Sequence, residues 1–320
     1  MADTPADAKP DEPRTLLDKI GPAVAVGLTA LSAVFGSMSA AALQQAMYWK
    51  SQAAQDQSKA TNQWSLAGFK RDRALVMQTG AAQLRAQSEY RPAVFTVDKR
   101  PSESETAVTD KALDWLKEKG DKAGPPRVSL PDVPDPHIKE LRDGIEQRAP
   151  EAELLAKAAQ VKIATINKAI DDAEKFVEQT DKEWKPFVDE AAKIVQMQSG
   201  MKADVPDDER KKKAANAAAS QAAGFELEQR RYRGESFLNQ GVAFLYEIRV
   251  KVSSTESDRH RKKSQSLQMA MLVAQIGAVA ASLALARRKG VSLWLVAGLI
   301  GVAAVGFGGY ALVPTSLLAF

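Results

Sequence analysis

The sequence predicts an all-α membrane protein. It would have three transmembrane helices, one N-terminal and two paired as a C-terminal hairpin, with a long antiparallel helical and coiled-coil region between them. Three observations carry this. Apolar residues gather in blocks near the two ends, proline is missing from the long stretches beside those blocks, and a sustained heptad spacing runs through the middle. The chain of 320 residues is 45% hydrophobic and only 6% aromatic, and its mean hydropathy of −0.29 averages oily ends with a middle rich in Ala, Gln, Lys and Glu. Such segregation marks membrane spans flanking a water-exposed helical region.

A charged tail, 1–19, precedes the first block, "IGPAVAVGLTALSAVFGSMSAAAL", which runs from Ile20 to Leu43 without a charge. At about 1.5 Å per residue it exceeds the ~30 Å hydrocarbon thickness. That is too long for the apolar part of a signal peptide, and the tail is acidic as well as basic, so an uncleaved anchor is expected. Residues 44–91 contain no proline before Pro92 and continue as a membrane-emergent helix. Between 92 and 150 prolines recur, leaving an insert with two short helices in "ETAVTDKALDWLKEKG" and "HIKELRDGIEQR".

The segment 151–199 holds the clearest periodicity. Ile163, Ile166, Ile170, Ala173, Val177, Thr180, Trp184, Phe187, Ala191 and Ile194 alternate spacings of three and four, which is the pattern of a coiled-coil seam. The spacing leaves open whether the partner is another segment of the chain or a second copy. Pro186 beside the seam predicts a kink. Residues 200–266 form a helix leading into the second span, 267–286. A basic tip, 287–290, follows, then the third span, 291–312, and a short tail, 313–320. So short a tip forces a hairpin, and Arg287, Arg288 and Lys289 there cannot enter lipid. With the tail they bias their side toward the cytoplasm, which favours an extracytoplasmic face for 44–265. The opposing cluster Arg259, Arg261, Lys262 and Lys263 lies beside the second span, where anionic lipid headgroups are the natural partners.

Small residues recur every fourth position in the spans: Ser32, Gly36 and Ala40 in the first, and Ala270, Ala274, Ala278 and Ser282 in the second. Gly301 represents the glycines of the third, and Gln275 brings an amide into the second. Such stripes let helix backbones approach closely. No Asp, Glu, Lys, Arg or His interrupts any span, which counts against ion-coupled transport.

Catalytic chemistry finds no foothold. Without cysteine there are no disulfides or thiolate metal sites, and His137 and His260 have no partner at metal or triad spacing. No phosphate loop or other motif implies a cofactor. A formal charge of +4, from 44 basic and 40 acidic residues, gives no footprint for nucleic acid. The expectation is therefore a non-enzymatic scaffold or partner-recruiting stalk that self-associates. The alternative is a pore-forming oligomer with the glycine-rich third span lining the conduit.

Two stretches add a resemblance. "TNQWSLAGFK" holds Gln63, Trp64 and Lys70, with Asn62 where the pattern has an acid, and "LVAQIGAVAASLALARRKGVSLW" holds Gln275, Ile276, the cationic tip and Trp294. In these the chain resembles the bacterial membrane family catalogued as domain of unknown function number 4337. The resemblance covers the two ends, less than half the chain, and implies three spans and a helical central region, with no activity attached. From its chemistry Trp64 is expected to pack between the two membrane-emergent helices, a partner-binding hot spot being the alternative.

Overall fold

A computed structural model describes residues 16–95, 103–117, 125, 129–133, 135–198, 206–286 and 291–312. Among them the chain is helical throughout, with no strand: α1 (Leu16–Gln87), α2 (Glu103–Lys117), α3 (Pro136–Glu146), α4 (Glu151–Ala158), α5 (Ile163–Gln198), α6 (Asp207–Ala286) and α7 (Val291–Leu312). Three of these, α1, α6 and α7, contain stretches long and apolar enough to cross a membrane. The tail before Leu16 and the tip Arg287, Arg288 and Lys289 fall outside the described residues. The chain divides into two compact units. One comprises residues 1–51 and 254–320, the other 52–253, and α1 and α6 contribute to both.

The first unit carries the apolar stretches. Its small core joins Phe35 of α1 to Leu267 and Ala270 of α6. Two buried serines bond reciprocally across these helices: Ser39 Oγ donates to the carbonyl of Ser264, and Ser264 Oγ to that of Ser39, each at 3.0 Å. Such bonds satisfy hydroxyls where no water competes. Along α6 the buried row is Leu267, Ala270, Ala274, Gly277, Ala281 and Ala284. The stripe expected at every fourth residue therefore shares only its first members. Ala278 is half-buried and Ser282 exposed, with its hydroxyl returned to the carbonyl of Ala278 at 2.9 Å. A strict four-residue step turns about 40° too far each time, whereas alternating three and four stays on one face. The same drift leaves Ala40 exposed, while Ser32 is buried and Gly36 half-buried against Met271. In α7, Gly301 faces Leu28, and Gly308 is where the Phe35 ring lies so close that a side chain would collide.

The second unit is built on α1, α5 and α6. On α1, Ala53, Ala60, Ala67, Ala74 and Ala81 repeat every seventh residue, and each is at most 8% exposed. Two helical turns separate successive members, so the row forms one smooth stripe, and alanine's small volume lets a neighbouring helix come close. The α5 seam finds its partners within the chain. Ile166, Ile170 and Ala173 join Ala60 of α1 and Val242, Leu245, Ile248 and Val252 of α6 in one core. Trp184, Val188, Ala191 and Ile194 join Ala112, Trp115 and Leu116 of α2 and Leu227 of α6 in another. Ile163, Val177 and Phe187 are half-buried at the edges of these cores. Helix α5 runs through Pro186 without interruption.

Boundaries differ from expectation in two places. Helix α1 ends at Gln87, four residues before Arg91, because Glu89 and Tyr90 take left-handed backbone (φ 50° and 59°) and Tyr90 N–H caps the carbonyl of Arg85 at 2.9 Å. The segment expected as one helix over 151–199 breaks between α4 and α5, where the turn tucks Val161 into the core beside Leu154 and Ile166. No glycine or proline marks that turn, so burial rather than local chemistry sets it. His137, at the head of the short helix expected in "HIKELRDGIEQR", sits in the first turn of α3, where its backbone N–H donates to the Asp135 carboxylate at 2.9 Å.

Candidate functional site

The alanine row on α1 determines where its polar residues go. Asp56, Gln63 and Lys70 also lie seven apart and share the face turned toward α6. Asp56 is fully buried, and its carboxylate accepts from Arg249 Nε at 2.8 Å and from Gln52 at 3.3 Å. Lys70 pairs with Glu235, which is itself buried and also accepts from Arg231 Nε at 2.6 Å. Arg231 reaches Asp181 of α5 at 3.5 Å. Burial works against the charge of Arg231, but Glu235 first, then Glu228 and Asp181, outweigh it and hold the guanidinium more firmly protonated. Burial dominates the other way at Glu228, pushing its carboxyl above the ordinary range despite Arg231. A buried Tyr246 hydroxyl donates to Glu174 of α5 at 2.7 Å, and burial followed by this bond holds the phenol protonated well above its usual range.

Beside these pairs lies a cavity of about 420 Å³ among α1, α5 and α6, lined by Gln63, Lys70, Glu174, Glu178, Thr180, Asp181, Trp184, Arg231, Glu235 and Asn239 with Val177, Leu238 and Val242. The Oε1 atom of Gln63 is buried without a hydrogen-bond partner among the described residues. The site combines a buried ionic floor, an open acidic rim on α5 and an apolar wall. Among the described residues no three or more His, Asp or Glu side chains are placed so that they could hold a metal ion. The arrangement offers binding rather than an obvious nucleophile with its base.

A second cavity, of about 390 Å³, lies where residues 129–133 cross α6. Gly241 permits that crossing, since a β-carbon there would sit 2.5 Å from Leu130.

The residues singled out from sequence fall into separate places. Trp64 packs edge-on against Phe244, with ring centres 5.0 Å apart, and donates to Glu247 at 2.7 Å. Trp184 is both a core residue and a wall of the charged cavity. Arg259, Arg261, Lys262 and Lys263 are exposed in the first unit. Gln275 is exposed in the middle of the α6 apolar stretch, flanked by exposed Leu272, Ile276 and Val279. Gln63 and Lys70 stand out in the sequence only through the resemblance, and Asp56 not at all, although the alanine period of seven links them: counting three residues on from Ala53, Ala60 and Ala67 lands on all three. No family model matches the chain, and no curated protein or solved structure does.

Proposed function

We propose that this is an integral membrane protein without catalytic activity, a helical scaffold of the bacterial inner membrane that self-associates through its spans and recruits protein partners. Three helices are long and apolar enough to span, and their outward side chains include Val26, Val34, Leu299 and Val302, each at least half exposed. Lipid is the solvent such a surface suits.

The observation that carries self-association is Gln275. Its amide lies exposed among apolar side chains at mid-span, with no partner among the described residues. An amide in hydrocarbon gains by bonding across to another helix. Gly298, Gly306 and Gly309 of α7 add an open face with nothing near them. With the α5 seam occupied inside the chain, association falls to the spans. Pairing of α1 with α6 as an antiparallel coiled coil belongs to the same reading, supported by partners that descend α6 as α1 ascends: Asp56 with Arg249, Lys70 with Glu235, Arg85 with Glu226. The basic cluster from Arg259 to Lys263 would meet anionic headgroups, with 44–265 extracytoplasmic.

Subunit counting in bilayers over a range of lipid dilutions tests the proposal. The wild type should be oligomeric, and Gln275→Leu should weaken association roughly threefold to tenfold. A wild type monomeric at every dilution would remove self-association. The competing reading, a conducting oligomer with α7 along the conduit, rests on the same open glycine face. It requires ion flux into vesicles that Gly306→Leu abolishes without changing the oligomer.

A further inference from the structure

We propose that the cavity among α1, α5 and α6 binds an aliphatic polyamine. Its lining carries two cations, Lys70 and Arg231, against four carboxylates, Glu174, Glu178, Asp181 and Glu235. Both cations are already spent on Glu235, and Arg231 also reaches Asp181, so the interior pairs are closed. The remaining acidity lies on α5. Glu174 uses one oxygen for the Tyr246 hydroxyl, and Glu178 one for the exposed Lys182, leaving the second oxygen of each without a protein partner among the described residues. Gln63 Oε1 adds a buried acceptor that no described residue fills, and the Asn239 amide lines the same space.

Acceptors in this excess call for a donor-rich ligand, and a primary ammonium brings three donors and no acceptor. Spacing selects the shape. Glu174, Glu178 and Asp181 occupy successive turns of one α5 face, so their carboxylates extend over roughly 10 Å along the axis. That suits several ammonium groups strung on a flexible chain better than a single compact cation. Methylene segments between them would lie on Val177, Leu238, Val242 and the Trp184 ring, which also attracts a cation by its π face. About 420 Å³ lies within the range of small-ligand sites, and the lining is more polar than such sites usually are, which suits a ligand that is itself largely charged. The inference is independent of self-association, because every lining residue lies in the second unit.

Calorimetric titration of the full chain in lipid nanodiscs with spermidine tests it, at moderate ionic strength. Saturable binding of one spermidine per chain is expected. Glu178→Gln, at an exposed position, should weaken it at least tenfold, and Gln63→Leu severalfold, while Glu151→Gln, outside the cavity, should leave it unchanged. Helical circular dichroism identical to wild type establishes that each variant is folded. No saturable heat would overturn the proposal. So would equal weakening by Glu151→Gln, or full displacement by magnesium at equal concentration, since either would mean diffuse counterion attraction.

Discussion

Asp56 is a sharp electrostatic commitment: a fully buried carboxylate whose cationic partner, Arg249, is only 18% exposed. Removing one member of such a pair strands the other in a medium that solvates it poorly. Arg249→Ala should cost about 3–5 kcal/mol in denaturant unfolding, because Asp56 cannot reach water. The double replacement Asp56→Leu with Arg249→Met should recover most of that loss, and a double variant as unstable as the single one would refute this account. Glu228 makes a different prediction. Its folded-state carboxyl titrates higher than the unfolded one, chiefly through burial. In the window between the two values the native state therefore holds more protons, so stability falls as pH rises through it. Glu228→Gln should raise the melting temperature at neutral pH and make no difference below the carboxylate range. A gain that persists in acid would mean the effect is packing, not charge.

At the scale of elements, α1 works by what it lacks. Ala60 and Ala67 are nearly inaccessible and place almost nothing between α1 and its neighbours, so bulk added there must push helices apart. Ala60→Leu should destabilise by roughly 1–3 kcal/mol, whereas Ala54→Leu, on the exposed face, should stay within about 0.5 kcal/mol. Equal effects in chemical denaturation would contradict the close approach. Helix α5 works oppositely, by large side chains in alternating steps that fill the cores α1 leaves shallow. Its period was plain in the sequence because isoleucine, tryptophan and phenylalanine stand out from a polar background. The α1 period was not, because alanine is frequent on exposed faces too. Only the seven-residue recurrence separates Ala60 from Ala54.

Taken whole, the molecule's apolar stretches leave large side chains such as Leu295, Leu299 and Val302 exposed, and detergent should be needed to keep the chain dispersed. Full solubility without it would remove the membrane assignment. Protease added to intact spheroplasts should cut within 44–265 if that region is extracytoplasmic, and spare it until lysis if the opposite holds. The side is set by charge outside the spans, so neutralising Arg287, Arg288 and Lys289 together should weaken any orientational preference.

Much of this was legible in one dimension. Helical class, three apolar stretches, the proline-rich break and the α5 seam follow from composition and period, because burying an apolar face imposes a fixed recurrence on any helix. What the tertiary structure decided is where those faces went. It closed the α5 seam inside the chain, moved the α6 seam off the four-residue stripe, broke α4 from α5 at a turn without glycine or proline, and gathered Gln63, Glu174 and Glu235 from three distant segments into one cavity. Sequence period states that a face will be covered. The partner depends on energies summed over residues far apart in the chain, and no local pattern contains that sum.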